Sequence, residues 1–144
     1  MSAYQKAVQL LGSRPHFRRE LQAKLAQRKF PPEEIEEALD RLTEQRYLDD
    51  RKTAVAFVGH RLERKAEGRL RLRAELEKRG APPDAVEEAL AAVPDDDLEP
   101  TQEAAERWRR LHPHGKPTAL AQHLARKGFS RRAIFAVLKT DPEE

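Results

Sequence analysis

Few side chains in this chain are spaced for catalysis. Of the five histidines, His16, His60, His112, His114 and His123, only His112 and His114 stand close together, on either side of Pro113. That is not the i, i+4 spacing that puts two imidazoles on one helix face for zinc, and no acidic residue lies beside them. They read as polar loop residues. The run Asp95-Asp96-Asp97 lacks the glycine and glutamate spacing of a calcium loop and reads as a solvated linker. The six glycines do not cluster, so no phosphate-cradling loop is present. With no cysteine, disulfides and thiolate metal sites are excluded, which agrees with a reducing cytoplasm. Asp50 reads as a helix cap, not a catalytic acid. These residues point to no enzyme, no cofactor and no metal.

The basic side chains carry more information. The net charge of +3 conceals blocks of opposite sign along the chain. Residues 1–50 are balanced, with nine basic and nine acidic groups. Residues 51–80 hold ten basic and four acidic groups, and residues 81–106 hold nine acidic and none basic. Residues 107–144 hold nine basic groups and three acidic ones, the latter all after Thr140. Such alternation suits an electrostatically addressed partner. Within Arg69–Arg79, Arg71 and Arg79 each stand four residues from Glu75, and Arg73 four from Glu77. That spacing favours intrahelical pairs and a solvated face. The C-terminal block has no local acid to neutralise it. Arg107, Arg109, Arg110, Arg126, Lys127, Arg131 and Arg132 are therefore the first candidates for contact with a polyanion, and Arg61, Arg64, Arg69 and Arg73 the second. Trp108 lies among arginines and could stack on a base, but its register with Ala104, Ala105 and Leu111 favours burial.

The elements that would position these cations follow from a repeat. Leu21, Leu25, Phe30, Ile35 and Leu39 recur as Leu72, Leu76, Ala81, Val86 and Leu90, and again as Leu120, Leu124, Phe129, Ile134 and Leu138. Internal spacings agree throughout, and leucines four apart lie on one helix face. Pro31-Pro32, Pro82-Pro83 and Gly128-Phe129-Ser130 punctuate each pair of helices, with Ser130 as an N-cap. Gly12, Gly80 and Gly128 read as helix stops or turns that need positive φ. A further helix precedes each pair. Ser2 to Leu11 buries Tyr4, Ala7, Val8 and Leu11. Arg51 to Lys65 is capped by Asp49 or Asp50 and buries Ala54, Phe57, Val58 and Leu62. Thr101 to Leu111 buries Ala104, Ala105, Trp108 and Leu111. The alternation Arg69-Leu70-Arg71-Leu72-Arg73 resembles a strand, but the repeat frame makes it helical.

The expected fold is thus all-α, three tandem three-helix repeats forming an elongated, curved array. Repeat 1 covers 1–47, repeat 2 covers 48–93, and an acidic linker able to hinge covers 94–100. Repeat 3 covers 101–144 with a short acidic tail. A charged fraction of 37% and a mean hydropathy of −0.86 suit units that each bury a single stripe. No run of about 18 apolar residues exists, so no membrane helix is expected. Met1 to Leu11 lacks the pattern of a secretory signal.

Three passages resemble the RecX family, regulators of the RecA recombinase. The first is Glu20-Leu21 and Lys24-Leu25, running to Phe30 and Ile35. The second is Tyr47-Leu48-Asp49-Asp50 with Ala54, Phe57-Val58 and Arg61, then Gly68, Arg69, Glu75-Leu76 and Gly80. The third is Leu124 and Arg126-Lys127-Gly128-Phe129-Ser130 with Ile134 and Val137-Leu138. Three positions depart from the pattern: Phe17 in place of a capping serine, Lys29 in place of the glycine found at Gly80 and Gly128, and Thr53 in place of a phenylalanine. The resemblance implies a crescent that lies along the RecA–DNA filament. It also implies inhibition of strand exchange, ATP hydrolysis and co-protease activity, which would modulate recombination, DNA repair and the SOS response. Partners implied are the filament and single- and double-stranded DNA, with no membrane, for a cytoplasmic monomer. The rival reading is a helical DNA-binding module indifferent to the recombinase. Against it, the last helices of the first two repeats open on Glu33-Glu34 and Asp84, which repel phosphate; only Arg131 and Arg132 of the third could approach a groove.

Overall fold

A computed structural model describes residues 1–139; the acidic tail after Thr140 (Asp141, Glu143, Glu144) lies outside them. Among the described residues there are nine helices and no strand: α1 (Ala3–Ser13), α2 (Arg18–Gln27), α3 (Pro32–Glu44), α4 (Asp50–Arg64), α5 (Arg69–Arg79), α6 (Pro83–Leu90), α7 (Leu98–Leu111), α8 (Pro117–Arg126) and α9 (Arg131–Lys139). The stretch Arg69–Arg73 is helical, as the repeat frame requires. The chain divides into two compact units. Unit one holds Met1–Phe57 and Leu76–Ala89; unit two holds Val58–Glu75 and the chain from Leu90 onward.

The repeated leucine and the residue five positions after it have a local cause. At the end of α2, the Phe30 N–H donates to the Leu25 carbonyl and the Lys29 N–H to that of Ala26. The same two bonds close α5 (Ala81 to Leu76, Gly80 to Glu77) and α8 (Phe129 to Leu124, Gly128 to Ala125). This is the Schellman closure, whose hydrophobic contact joins its first and last residues, so leucine recurs with an apolar residue five positions on, Phe30, Ala81 or Phe129. The residue in between must take positive φ. Gly80 and Gly128 do so at +93° and +88°, and Lys29 does so at +66°. A side chain in that region costs about 1 kcal/mol, partly offset because glycine loosens the unfolded chain. Lys29→Gly is expected to stabilise the protein by about 0.5–1 kcal/mol, read as a raised urea midpoint with unchanged slope.

In unit one, Ala3, Ala7, Leu21, Leu25, Ile35, Ala38, Leu39, Leu42 and Leu48 form the core where α1, α2 and α3 meet. Ser2 caps α1 in a reciprocal pair with Gln5, at 3.1 and 2.9 Å. Gly12 is not its stop: the helix runs through Gly12 to Ser13, and Val8 is exposed. The cap that Phe17 cannot provide comes from elsewhere. The Asp50 carboxylate accepts from the Arg18 N–H at 2.9 Å, and Glu20 accepts from the Phe17 N–H at 2.9 Å. Asp49, not Asp50, caps α4, through the N–H groups of Arg51 and Lys52. Burial raises the Asp50 pKa, helped by Asp49 and Asp84, against the opposing Arg18 N–H and charge. Arg79 does not lie along α5 toward Glu75. It grips Glu20 with two nitrogens at 3.1 and 3.0 Å, its guanidinium 5.1 Å from the Phe17 ring centre and 5.3 Å from that of Phe57.

His16 is buried beside this network, although nothing in its sequence neighbourhood announces it. Its Nε2 lies 2.8 Å from Lys24 Nζ and its Nδ1 2.9 Å from the Arg14 carbonyl. A lysine ammonium only donates, so Nε2 accepts and Nδ1 carries the proton, giving a neutral ring. Burial lowers the His16 pKa below 6.5, with the charges of Arg14 and Lys24 adding to it against the Arg14 carbonyl and Glu20. The folded state therefore binds this proton more weakly than the unfolded chain, and the stabilisation is present above pH 6.5 and lost as pH falls below it. Denaturant melts at pH 7.5 and 5.5 are expected to differ more for the native chain than for His16→Gln, which retains an acceptor for Lys24.

In unit two, Ala104, Ala105, Leu120, Leu124, Phe129 and Val137 form the core of α7, α8 and α9. Two expected inward residues are exposed, Leu111 at 71% and Leu62 at 38%. Each sits near the end of its helix, where the stripe outruns its neighbours. Helix α7 begins at Leu98, inside the expected linker, and Asp97 is no solvated link. Its carboxylate accepts from the Ser130 N–H and hydroxyl, both at 2.7 Å, while the Ser130 hydroxyl oxygen caps α9 through the Ala133 N–H at 3.1 Å.

Candidate polyanion-binding surface

The functional candidates of unit two are positioned by a close approach of two backbones. The Gly68 N–H, just before α5, donates to the Lys127 carbonyl at 2.8 Å, and the Leu70 N–H donates to that of Gly128 at 3.3 Å. Arg71 Nη1 donates to the Arg126 carbonyl at 2.8 Å. The first turn of α5, with its unpaired N–H groups, thus sits on the last carbonyls of α8, satisfying both helix ends. Only glycine permits it at position 68. A Cβ there would run into the carbonyl of Gly128 and the nitrogen of Phe129.

A buried carboxylate lies at this joint. Glu67 accepts from Arg61 Nε at 2.8 Å, and from Arg61 Nη2 in a second bond; Arg71 Nε is 3.2 Å from it. Its charge is thereby committed to two guanidinium groups. Lys127, half-buried alongside, has its pKa lowered first by burial and then by the cations Lys65, Arg71 and Arg107, with Glu67 opposing. His123 is lowered by burial and by Lys127, Arg126 and His112. One region of unit two thus gathers cations from the α4–α5 loop, α5, α7 and α8. An anion placed there would relieve the repulsion that Lys127 and His123 feel.

The expected residues therefore divide. Arg107, Arg126 and Lys127 are brought into the cluster. Arg110 is exposed and Arg109 half-buried on α7, and Arg131 and Arg132 are exposed in the first turn of α9. Arg132 lines a cleft with Asp95, Asp96 and Asp97, so acids offset its charge. Among the secondary candidates, Arg61 is committed to Glu67. Arg69 donates to the Val93 carbonyl at 3.0 Å and to Asp95 at 3.1 Å. Arg64 is exposed and Arg73 half-buried. Lys65 and Arg71 belong to the cluster but escape the sequence reasoning. Lys65 sits in a short loop with no motif, and Arg71 has a tempting partner in Glu75 four residues on. Trp108 is half-buried, packed against the core and stacked on His112 at 4.5 Å between ring centres. No group of three or more metal-ligating side chains gathers among the described residues, and no helix there is long and apolar enough to cross a membrane.

Two family models match the chain, RecX first three-helix domain over residues 3–42 and RecX second three-helix domain over 49–90. A protein named Regulatory protein RecX from Chlorobaculum tepidum is 37% identical over 141 residues, 96% of this chain and 87% of the relative. The chain belongs to the RecX family. The Regulatory protein RecX of Xanthomonas citri is also 37% identical, over 97% of this chain and 88% of its own. The RecX fold is seen directly in the crystal structure of RecX from Lactobacillus salivarius. It aligns with a TM-score of 0.83 at 22% identity over 95% of this chain and 92% of that one. A second crystal structure of regulatory protein RecX aligns at 0.84 and 21%, covering 95% and 71%. The all-helical RecX architecture expected from the repeat is thus shown, and the chain is a member of a family of regulatory proteins.

Proposed function

We propose that this chain is a non-enzymatic regulator that binds the RecA–DNA filament and inhibits strand exchange, ATP hydrolysis and co-protease activity. Through these it modulates DNA repair and the SOS response. It acts in the cytoplasm as a monomer, with three tandem repeats, the third opened by α7 at Leu98, joined through the acidic stretch 94–97. Family membership carries this reading. The unit-two cluster of Lys65, Arg71, Arg107, Arg126 and Lys127 supports it by supplying a surface for the phosphates or acidic side chains of a filament. The test is ATP hydrolysis by the cognate recombinase on single-stranded DNA, with substoichiometric chain added. Progressive inhibition is expected, and an unchanged rate contradicts the proposal.

One observation favours a second reading, a DNA-binding module indifferent to recombinase. Arg131 and Arg132 are exposed in the first turn of α9, where a recognition helix meets phosphate, whereas α3 and α6 open on Glu33, Glu34 and Asp84. Tight, salt-dependent binding to naked duplex, unaltered by recombinase, would select it.

A further inference from the structure

The outer face of α9 carries a feature that the cation cluster does not use. Arg131, Phe135 and Lys139 stand at i, i+4 and i+8 and so share one face of the helix. All three are exposed, Phe135 at 63%, while Ala133 and Val137 on the opposite side fill the core. Lys139 Nζ lies 4.8 Å from the Phe135 ring centre. Helix α9 contains no acidic residue. Arg132, which shares its cleft with Asp95 to Asp97, is left out.

The exposed Phe135 ring is bracketed by two cations one turn to either side, so this face offers an aromatic plane and positive charge together. An apolar protein partner would leave those cations stranded at its edge. A single-stranded nucleic acid satisfies both halves of the pattern: a base stacks on the ring and the flanking phosphates meet the cations. A duplex keeps its bases inside the stack and offers the ring nothing. We infer that the Arg131–Phe135–Lys139 face of α9 is a stacking site for single-stranded nucleic acid. The inference rests on the filament reading only in that such a filament contains a single strand.

The test is fluorescence anisotropy of a labelled oligothymidylate with the native chain, Phe135→Ala, Phe135→Tyr and Arg131→Ala, with recombinase ATPase inhibition measured in parallel. Phe135 is exposed, so the alanine variant should fold, as circular dichroism can check. Phe135→Ala is expected to weaken binding about 5- to 150-fold without changing the salt slope. Phe135→Tyr should restore binding, and Arg131→Ala should lower the salt slope by about 0.7. Binding by Phe135→Ala equal to the native chain overturns the site; if ATPase inhibition persists in that case, the regulatory reading stands without it. Stronger binding to duplex than to single strand also overturns it. Loss of oligothymidylate binding in Phe135→Ala, with no recombinase inhibition by the native chain, supports the site and removes the regulatory reading instead.

Discussion

Gly68→Ala is expected to be among the most damaging single substitutions in unit two, lowering stability by about 3 kcal/mol or more. The added methyl meets the Gly128 carbonyl and the Phe129 nitrogen, which are backbone atoms that no rotamer change can move aside. Relief requires α5 to lift from the end of α8. That loosens the bonds from Gly68, Leu70 and Arg71 to the carbonyls of Lys127, Gly128 and Arg126. A loss of that size lowers the melting temperature of a chain this long by roughly 10 °C. Gly59→Ala is the matched control. Gly59 lies within α4, where a Cβ meets nothing within 4 Å, so alanine should stabilise by about 0.5–1 kcal/mol. Thermal melts of the two variants should therefore move in opposite directions. A Gly68→Ala melt within a degree or so of the native chain would show that the two helix ends are not locked together.

Glu67→Ala is expected to separate stability from binding. The carboxylate is 3% exposed and neutralises Arg61 and Arg71, so removing it strips both guanidinium groups of their anion and leaves Arg71 facing Lys127 unscreened. Removing one partner of a fully buried pair costs about 3–5 kcal/mol, but both arginines here keep some access to water. About 2–3 kcal/mol is the expected loss. The same change strengthens the positive field over the cluster, so affinity for a polyanion should rise about two- to fivefold where both proteins are folded. Denaturant melts and anisotropy with a labelled oligonucleotide read the two effects separately. A stability loss well below 1 kcal/mol would show that water, not Glu67, solvates those arginines.

The parts of this structure legible in the sequence are those with local causes. The recurrence of Leu25 with Phe30, Leu76 with Ala81 and Leu124 with Phe129 is one closing motif at the ends of α2, α5 and α8, and it marks those helices before any contact is known. Ser130 as a cap and the positive φ of Gly80 and Gly128 follow from the same local rules. What escaped is long-range. Asp50 caps a helix 32 positions earlier in the chain, and Arg79 reaches 59 positions back to Glu20 rather than four to Glu75. The approach of Gly68 to Gly128 brings Lys65 and Arg71 beside Arg107, Arg126 and Lys127, which no spacing rule would join. The periodic stripes also overshot: Leu62 and Leu111, near the ends of α4 and α7, and Val8, in the middle of α1, fit the register yet are exposed. The candidate surface was therefore half legible: the excess charge could be counted, but which cations share a region depends on the tertiary joint.

In the proposed function, the unit-two cluster is where this RecX-family chain meets a polyanion in the recombinase filament. Lys65, Arg107 and Arg126 are exposed members of that cluster, and charge reversal at all three should leave the core intact. The decisive measurement assays K65E/R107E/R126E beside the native chain for single-stranded DNA binding and for inhibition of recombinase ATP hydrolysis, at matched salt. Both are expected to fall together, by roughly 100-fold or more, with a shallower salt dependence and an unchanged melt. A folded triple variant that binds and inhibits like the native chain would contradict that role of the cluster.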